Sequence, residues 1–205
     1  MHISWLGGSA VKLQTKHQGN DVSLVIDPYK PTEKGSSFPK TLAPQIGLFT
    51  KGQDNSITLS GDPFIVDAPG EFEVSGVIIK GIPSEQGVIL QLTIEGMHIV
   101  HLGALQSVPE DKVFDQLATT DILMIPVGGH ETLSAKQAAT ITTKLIEPRV
   151  CVPISFKQGK ADAKQDSVDV FFKELGVNGS KAESKVIVSA SKLPQEEMEV
   201  ILLQH

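Results

Sequence analysis

The sequence predicts an α+β fold in which β-sheets are covered by helices. Three observations carry this. The first two thirds of the chain are short β-branched or alternating runs separated by turn residues. The last third alternates apolar strand-like runs with helical patterns. No internal repeat and no Pro/Gly/Ser linker divides the 205 residues, so one domain over residues 1–205 is expected. Hydrophobic residues make up 40%, enough for a core of that size without disulfides.

The elements follow in order. Ile3–Leu6, Ala10–Thr15 and Val22–Ile26 read as strands, the third closed by Asp27-Pro28. Tyr29–Pro44 is a loop rich in Pro, Lys, Ser, Thr and Gly, and Ile46–Thr50 is a buried strand leading into polar residues 51–56. After Phe64–Val66 come two hairpins. One joins Glu71–Val74 to Val77–Ile82 through Ser75-Gly76, and the other joins Val88–Ile94 to Met97–His101 through Glu95-Gly96. Pro109–Ala118 is a short helix and Asp121–Pro126 a strand. Ser134 and Gln137 have the spacing of a capping box opening a helix to Ile146. Val150–Ile154 is a strand, Ser167–Leu175 a helix stopped by Gly176, and Val186–Ser189 and Glu199–Leu203 are closing strands. The Lys157–Lys164 stretch reads as a solvated loop.

Charge and composition exclude several function classes. With 18 basic and 24 acidic side chains the net charge is −6, which gives no footprint for general nucleic-acid binding. No apolar run reaches the ~20 residues of a membrane span, and Met1–Trp5 lacks a signal-peptide pattern, so a cytoplasmic protein is expected. Cys151 is the single cysteine, which rules out an intrachain disulfide and a Cys-rich zinc site. Gly-x-Ser-x-Gly, phosphate-loop and Gly-x-Gly-x-x-Gly motifs are absent. Asn178-Gly179-Ser180 is read as a turn. The six histidines stand at 2, 17, 98, 101, 130 and 205, and no local run supplies even two metal ligands. His98 and His101, three apart on a strand, point to opposite faces. His130 follows Gly128-Gly129 at a strand exit just before a helix start, a place where free backbone amides favour anions.

The ordered series Trp5-Leu6-Gly7-Gly8-Ser9, Ile26-Asp27-Pro28, Val66-Asp67-Ala68-Pro69-Gly70-Glu71-Phe72-Glu73, His101-Leu102-Gly103, Ile125–Gly129, Glu147–Pro153 and Ser191–Pro194 resembles the metallo-β-lactamase-fold hydrolases. The closest likeness is to their short, ascorbate-phosphate-lactonase-like branch. The resemblance implies an αββα sandwich, two packed β-sheets flanked by helices. It also implies a zinc or manganese centre activating water against a lactone, ester, amide or phosphodiester.

The residues at the family's ligand positions are not ligands. His-x-His-x-Asp-His falls on Lys51-Gly52-Gln53-Asp54-Asn55-Ser56, so the motif's histidines are Lys51, Gln53 and Ser56 and its aspartate is Asn55. The shortened turn Pro83–Gly87 has no histidine, the bridging aspartate is Ala104, the final histidine is Ser155, and the histidine after Trp-Leu-Gly is Gly8. A lysine opposes a dication by Coulomb repulsion, and Asp54 is the loop's sole carboxylate. The expectation is a metal-free, non-catalytic member with a binding or structural role. Lys51, Gln53, Asp54, Asn55, Ser56, Ala104, His130 and Ser155 would remain as a small, weakly anion-binding polar cleft. Two alternatives stay open. One is a zinc or manganese hydrolase with unorthodox ligands, and the other a metal-free hydrolase using Ser155, Ser56, His130 and Asp54. Asp27 and Glu71 are assigned to structure, and Trp5 and Cys151 to the core. No partner is indicated, and self-association is left open.

Overall fold

In the computed structural model, residues 1–31, 38–117, 119–158 and 164–205 are described. Strands β1 (His2–Gly7), β2 (Ala10–His17) and β3 (Asn20–Ile26) open the chain. They are followed by β4 (Thr41–Leu42), β5 (Ile46–Leu48), β6 (Thr58–Leu59) and β7 (Phe64–Val66). A meander of β8 (Gly70–Val74), β9 (Val77–Ser84), β10 (Gly87–Ile94) and β11 (Met97–His101) comes next. The remainder is α1 (Asp111–Phe114), β12 (Ile122–Pro126), α2 (Ala135–Thr140), β13 (Val150–Ile154), α3 (Val168–Leu175), β14 (Val186–Ile187) and β15 (Glu199–Val200).

Two sheets result. One has the order β14-β1-β2-β3-β5-β7 and the other β15-β13-β12-β11-β10-β9-β8, with β4 and β6 forming a small separate pair. The first sheet is antiparallel through β3 and parallel from β3 to β7, and the second turns from antiparallel to parallel at β11–β12. Inward residues of both sheets, among them Trp5, Leu13, Leu24, Ile79, Leu90 and Ile99, join one hydrophobic core. β12 and β13 are buried along their whole length, as parallel strands covered on both faces must be. α2 and α3 pack against each other outside this core and turn Ala135, Ala138, Phe171 and Phe172 inward. The αββα expectation holds.

Several extents differ from the sequence reading. The Pro109–Ala118 helix contracts to Asp111–Phe114, and Ala118 lies outside the described residues. The Ser134 capping box forms as expected, but the helix is α-helical only to Thr140 and continues as a π-helix over Ile141–Ile146. Hydroxyls of Thr140, Thr142 and Thr143 donate to carbonyls four residues back, and these extra donors compete for the ladder where the register changes. The Tyr29–Pro44 loop ends in β4, which finds its partner seventeen residues away, and residues 32–37 lie outside the described set. The closing strands shrink to two residues each. Residues 159–163 of the Lys157–Lys164 loop are not among those described. No described helix is long and apolar enough to cross a membrane.

Candidate functional site

The chain ends that leave β1, β3, β5, β11 and β13 meet at one edge of the sandwich, and a buried polar cluster lies beneath them. Asp27, at the end of β3, is 1% exposed. Its Oδ1 accepts from the Thr50 backbone N–H at 2.7 Å and its Oδ2 from the Thr50 hydroxyl at 2.7 Å. The Ser9 hydroxyl lies near the same carboxylate and favours its charged form. His101 at the end of β11 is fully buried. Its Nδ1 accepts from the Gly103 N–H at 3.0 Å, which places the neutral ring's proton on Nε2, bonded to the Ser9 carbonyl at 3.0 Å. Residues from both sheets are therefore pinned together through Ser9, Asp27, Thr50, His101 and Gly103.

Burial pushes the Asp27 carboxyl above its usual range, opposed by His101 and by the donated hydrogen bonds. Burial likewise holds the His101 imidazole below its ordinary value, with Asp27 pulling the other way. Tyr29 is shifted upward by burial and by the Asp27 charge. The Tyr29 hydroxyl accepts from the Lys51 N–H at 2.9 Å and donates to the Gly52 carbonyl at 3.0 Å, which fixes the start of the 51–56 loop. The backbone is left-handed at Asp27, Asn55, His130 and Ser155. Gly103 is left-handed too, and a Cβ there would press on Thr50 Oγ1 at 2.5 Å.

On this base sit the residues singled out in the sequence. Lys51 is exposed, and its ammonium donates to the Ala104 carbonyl at 3.1 Å, so the 51 and 104 positions are brought together. Gln53 turns its amide to Asp67 Oδ2 at 2.7 Å. The Asn55 carbonyl accepts from the Lys30 N–H, and the Ser56 N–H returns to the Gln53 carbonyl. Ser155 is 2% exposed, and its N–H donates to the Gly8 carbonyl at 3.1 Å, so these two positions are also adjacent. His130 is exposed, and the preceding Gly129 N–H is spent on the Leu133 carbonyl at 3.0 Å. Among the described residues no hydrogen bond joins Ser155, Ser56, His130 and Asp54 to one another. Glu71 is exposed on the edge strand β8 opposite Lys80, while Trp5 and Cys151 are buried, the thiol pushed up to about 12 by burial.

Two contacts had no sequence signal. Thr50 as the main partner of Asp27, and the His205 ring set edge-on against Trp5 at 5.0 Å, arise from segments far apart in the chain. The buried role of His101 was half visible, since the odd spacing placed it on the face opposite His98.

The donor set does not suit the metal that such a fold implies. Positions 51–56, 104 and 155 offer an ammonium, two amides, two hydroxyls and one carboxylate. Among the described residues no three His, Cys, Asp or Glu side chains converge. Zinc and manganese are held by imidazole, thiolate and carboxylate, so these side chains do not fit such an ion.

A two-sheet sandwich with its functional loops gathered at one edge defines the class of metallo-β-lactamase-fold proteins. Residues 2–155 match the family model of the beta-lactamase superfamily domain, and the chain belongs to that family. A UPF0173 metal-dependent hydrolase of Cupriavidus necator is 31% identical over 71 residues, 35% of this chain and 24% of that protein. The match thus spans about a quarter of that relative's length. A UPF0173 protein of Pyrococcus abyssi is 24% identical over 182 residues, 76% of this chain and 83% of its own. A solved structure of a metallo-β-lactamase superfamily protein from Thermotoga maritima superposes with a TM-score of 0.81 at 24% identity. That superposition covers 99% of this chain and 98% of the other.

Proposed function

We propose that this chain is a metal-free, non-catalytic member of its hydrolase family, kept for a binding or structural role. The observation that carries this reading is the Lys51 ammonium on the Ala104 carbonyl at 3.1 Å. A divalent ion about 4 Å from an ammonium would meet roughly 8 kcal/mol of repulsion at an effective dielectric of about 20. Gln53, tied to Asp67, and Asp54 alone do not offset that. Lys51 is then the cation of the site, held at the Ala104 carbonyl, with Asn55 and Ser56 on its own loop. An anion bound there would have Asp54 and Asp67 against it, so phosphate affinity is no better than about millimolar. The chain works as one domain over 1–205, in the cytoplasm.

A second reading has one observation in its favour. Curated relatives carry the name metal-dependent hydrolase, which supports lactone, ester or phosphodiester hydrolysis with unorthodox zinc or manganese ligands. A metal-free hydrolase using Ser155, Ser56, His130 and Asp54 has less support, because catalysis needs a nucleophile and base in hydrogen-bond reach. Hydrolysis of p-nitrophenyl acetate, a homoserine lactone and bis-p-nitrophenyl phosphate, with and without zinc or manganese, separates the three. The proposal expects rates equal to buffer in every case. Metal-stimulated turnover supports the second reading, and metal-independent turnover lost in Ser155→Ala supports the third.

A further inference from the structure

A groove of about 400 Å³ lies between the β9–β10 turn and the 108–113 segment. It shares no residue with positions 51–56, 104, 130 and 155, and its Pro83–Gln86 wall is the shortened turn that lacks the family's histidine. Its volume is that of a small-molecule site. Pro83, Val108 and Val113 give it apolar walls, and Glu85, Glu110 and Lys112 stand around it. Val108 is 38% exposed, an uncovered apolar side chain beside these charges.

Two straps preform the groove. The Gln86 side chain spends its whole amide on the opposite wall. Its Oε1 accepts from the N–H groups of Gln106 at 2.6 Å and Ser107 at 3.3 Å. Its Nε2 donates to the Ser107 hydroxyl at 2.7 Å and carbonyl at 3.3 Å. Beyond the groove, Lys80 Nζ donates to the Gln116 carbonyl at 2.8 Å. The segment that forms one wall is therefore held to the β9–β10 hairpin on both sides, and a ligand would not have to order it.

Charge selects the ligand. Glu110 is paired with Lys112, whereas Glu85 forms no salt bridge among the described residues. The Lys112 ammonium, closed on Glu110, feels Glu85 only through its longer-range charge. The groove thus keeps a carboxylate without a contacting cation beside an apolar wall. We propose that it binds an organic cation, an ammonium carried on a compact apolar body, with the ammonium at Glu85 and the body against Pro83 and Val108. An anion of the same shape would be repelled by Glu85, and a neutral one would lose the charge contact.

Amide NMR of the full chain tests this with phenethylamine and phenylacetate, which share a body and differ in charge, each titrated to about 10 mM. The amine should shift residues 83–86 and 108–113, and phenylacetate should not. Glu85→Gln should weaken the amine about fivefold, the effect of one exposed charge contact. Val108→Lys should abolish binding. Both positions are at the surface, so a dispersed spectrum will show that each variant is folded. No shift with the amine, equal shifts with phenylacetate, or unchanged affinity in Glu85→Gln would each overturn the proposal.

Discussion

Asp27 is the residue on which the site edge depends. Its carboxylate takes both the backbone N–H and the hydroxyl of Thr50, and removing it strands those donors inside the protein. Asp27→Ala should cost about 2–4 kcal/mol, read from urea unfolding, since buried unsatisfied groups cost about 1–3 kcal/mol each. A loss under about 1 kcal/mol would show that Thr50 finds another partner. His101 gives a pH signature. Its folded-state proton affinity lies below the ordinary value of 6.5 because burial disfavours the imidazolium. The unfolded chain therefore takes up this proton first as pH falls. Stability should decline from about pH 6.5 downward and level off once the folded-state value is passed. In His101→Gln that part of the pH dependence should vanish while the carboxylate-driven part at lower pH remains. An unchanged profile would mean that His101 is not the group responsible. At Lys51, phosphate titration followed by NMR should give shifts in residues 51–56 only at about millimolar concentration or above, and none in Lys51→Ala. Identical shifts in wild type and variant would remove Lys51 from that role.

Local chemistry set most of the elements, and tertiary context trimmed their ends. The Ser134 cap was legible because its device is local. Ser134 Oγ accepts from the Gln137 N–H at 3.3 Å, and Gln137 Oε1 takes back the Ser134 N–H at 3.0 Å. Ser134→Ala should cost about 0.5–2 kcal/mol in thermal or urea unfolding, and no change would mean that the α2–α3 contact alone holds the helix start. The π-helical turn after Thr140 was not legible, because apolar spacing is nearly the same for α and π registers over six residues. The two-residue strands β14 and β15 were overestimated for a different reason. Their apolar runs continue, but only Val186 and Ile187 stand in register with β1 and only Glu199 and Val200 with β13. The meander from β8 to β11 was read well, since its Gly-containing turns and alternation are both local signals.

At the scale of the molecule, the sandwich followed from the order of motifs and the core from hydrophobic periodicity. The partners within the site edge did not. Lys51 with Ala104, Gln53 with Asp67 and Ser155 with Gly8 are joined by the crossing of strands, which no spacing in the chain encodes. Both sheets feed one hydrophobic core, and this supports a single cooperative unit. Thermal unfolding followed by circular dichroism and by Trp5 fluorescence should therefore give coincident transitions, and two separated midpoints would contradict the one-domain proposal. We propose that an ammonium at position 51 stands in place of metal chemistry. Elemental analysis tests it most directly, on protein incubated with equimolar zinc and manganese at neutral pH and then dialysed. Well under about 0.1 equivalent of either metal per chain is expected, without loss of folded signal. One equivalent retained, and its amide shifts centred on residues 51–56, 104 and 155, would contradict it.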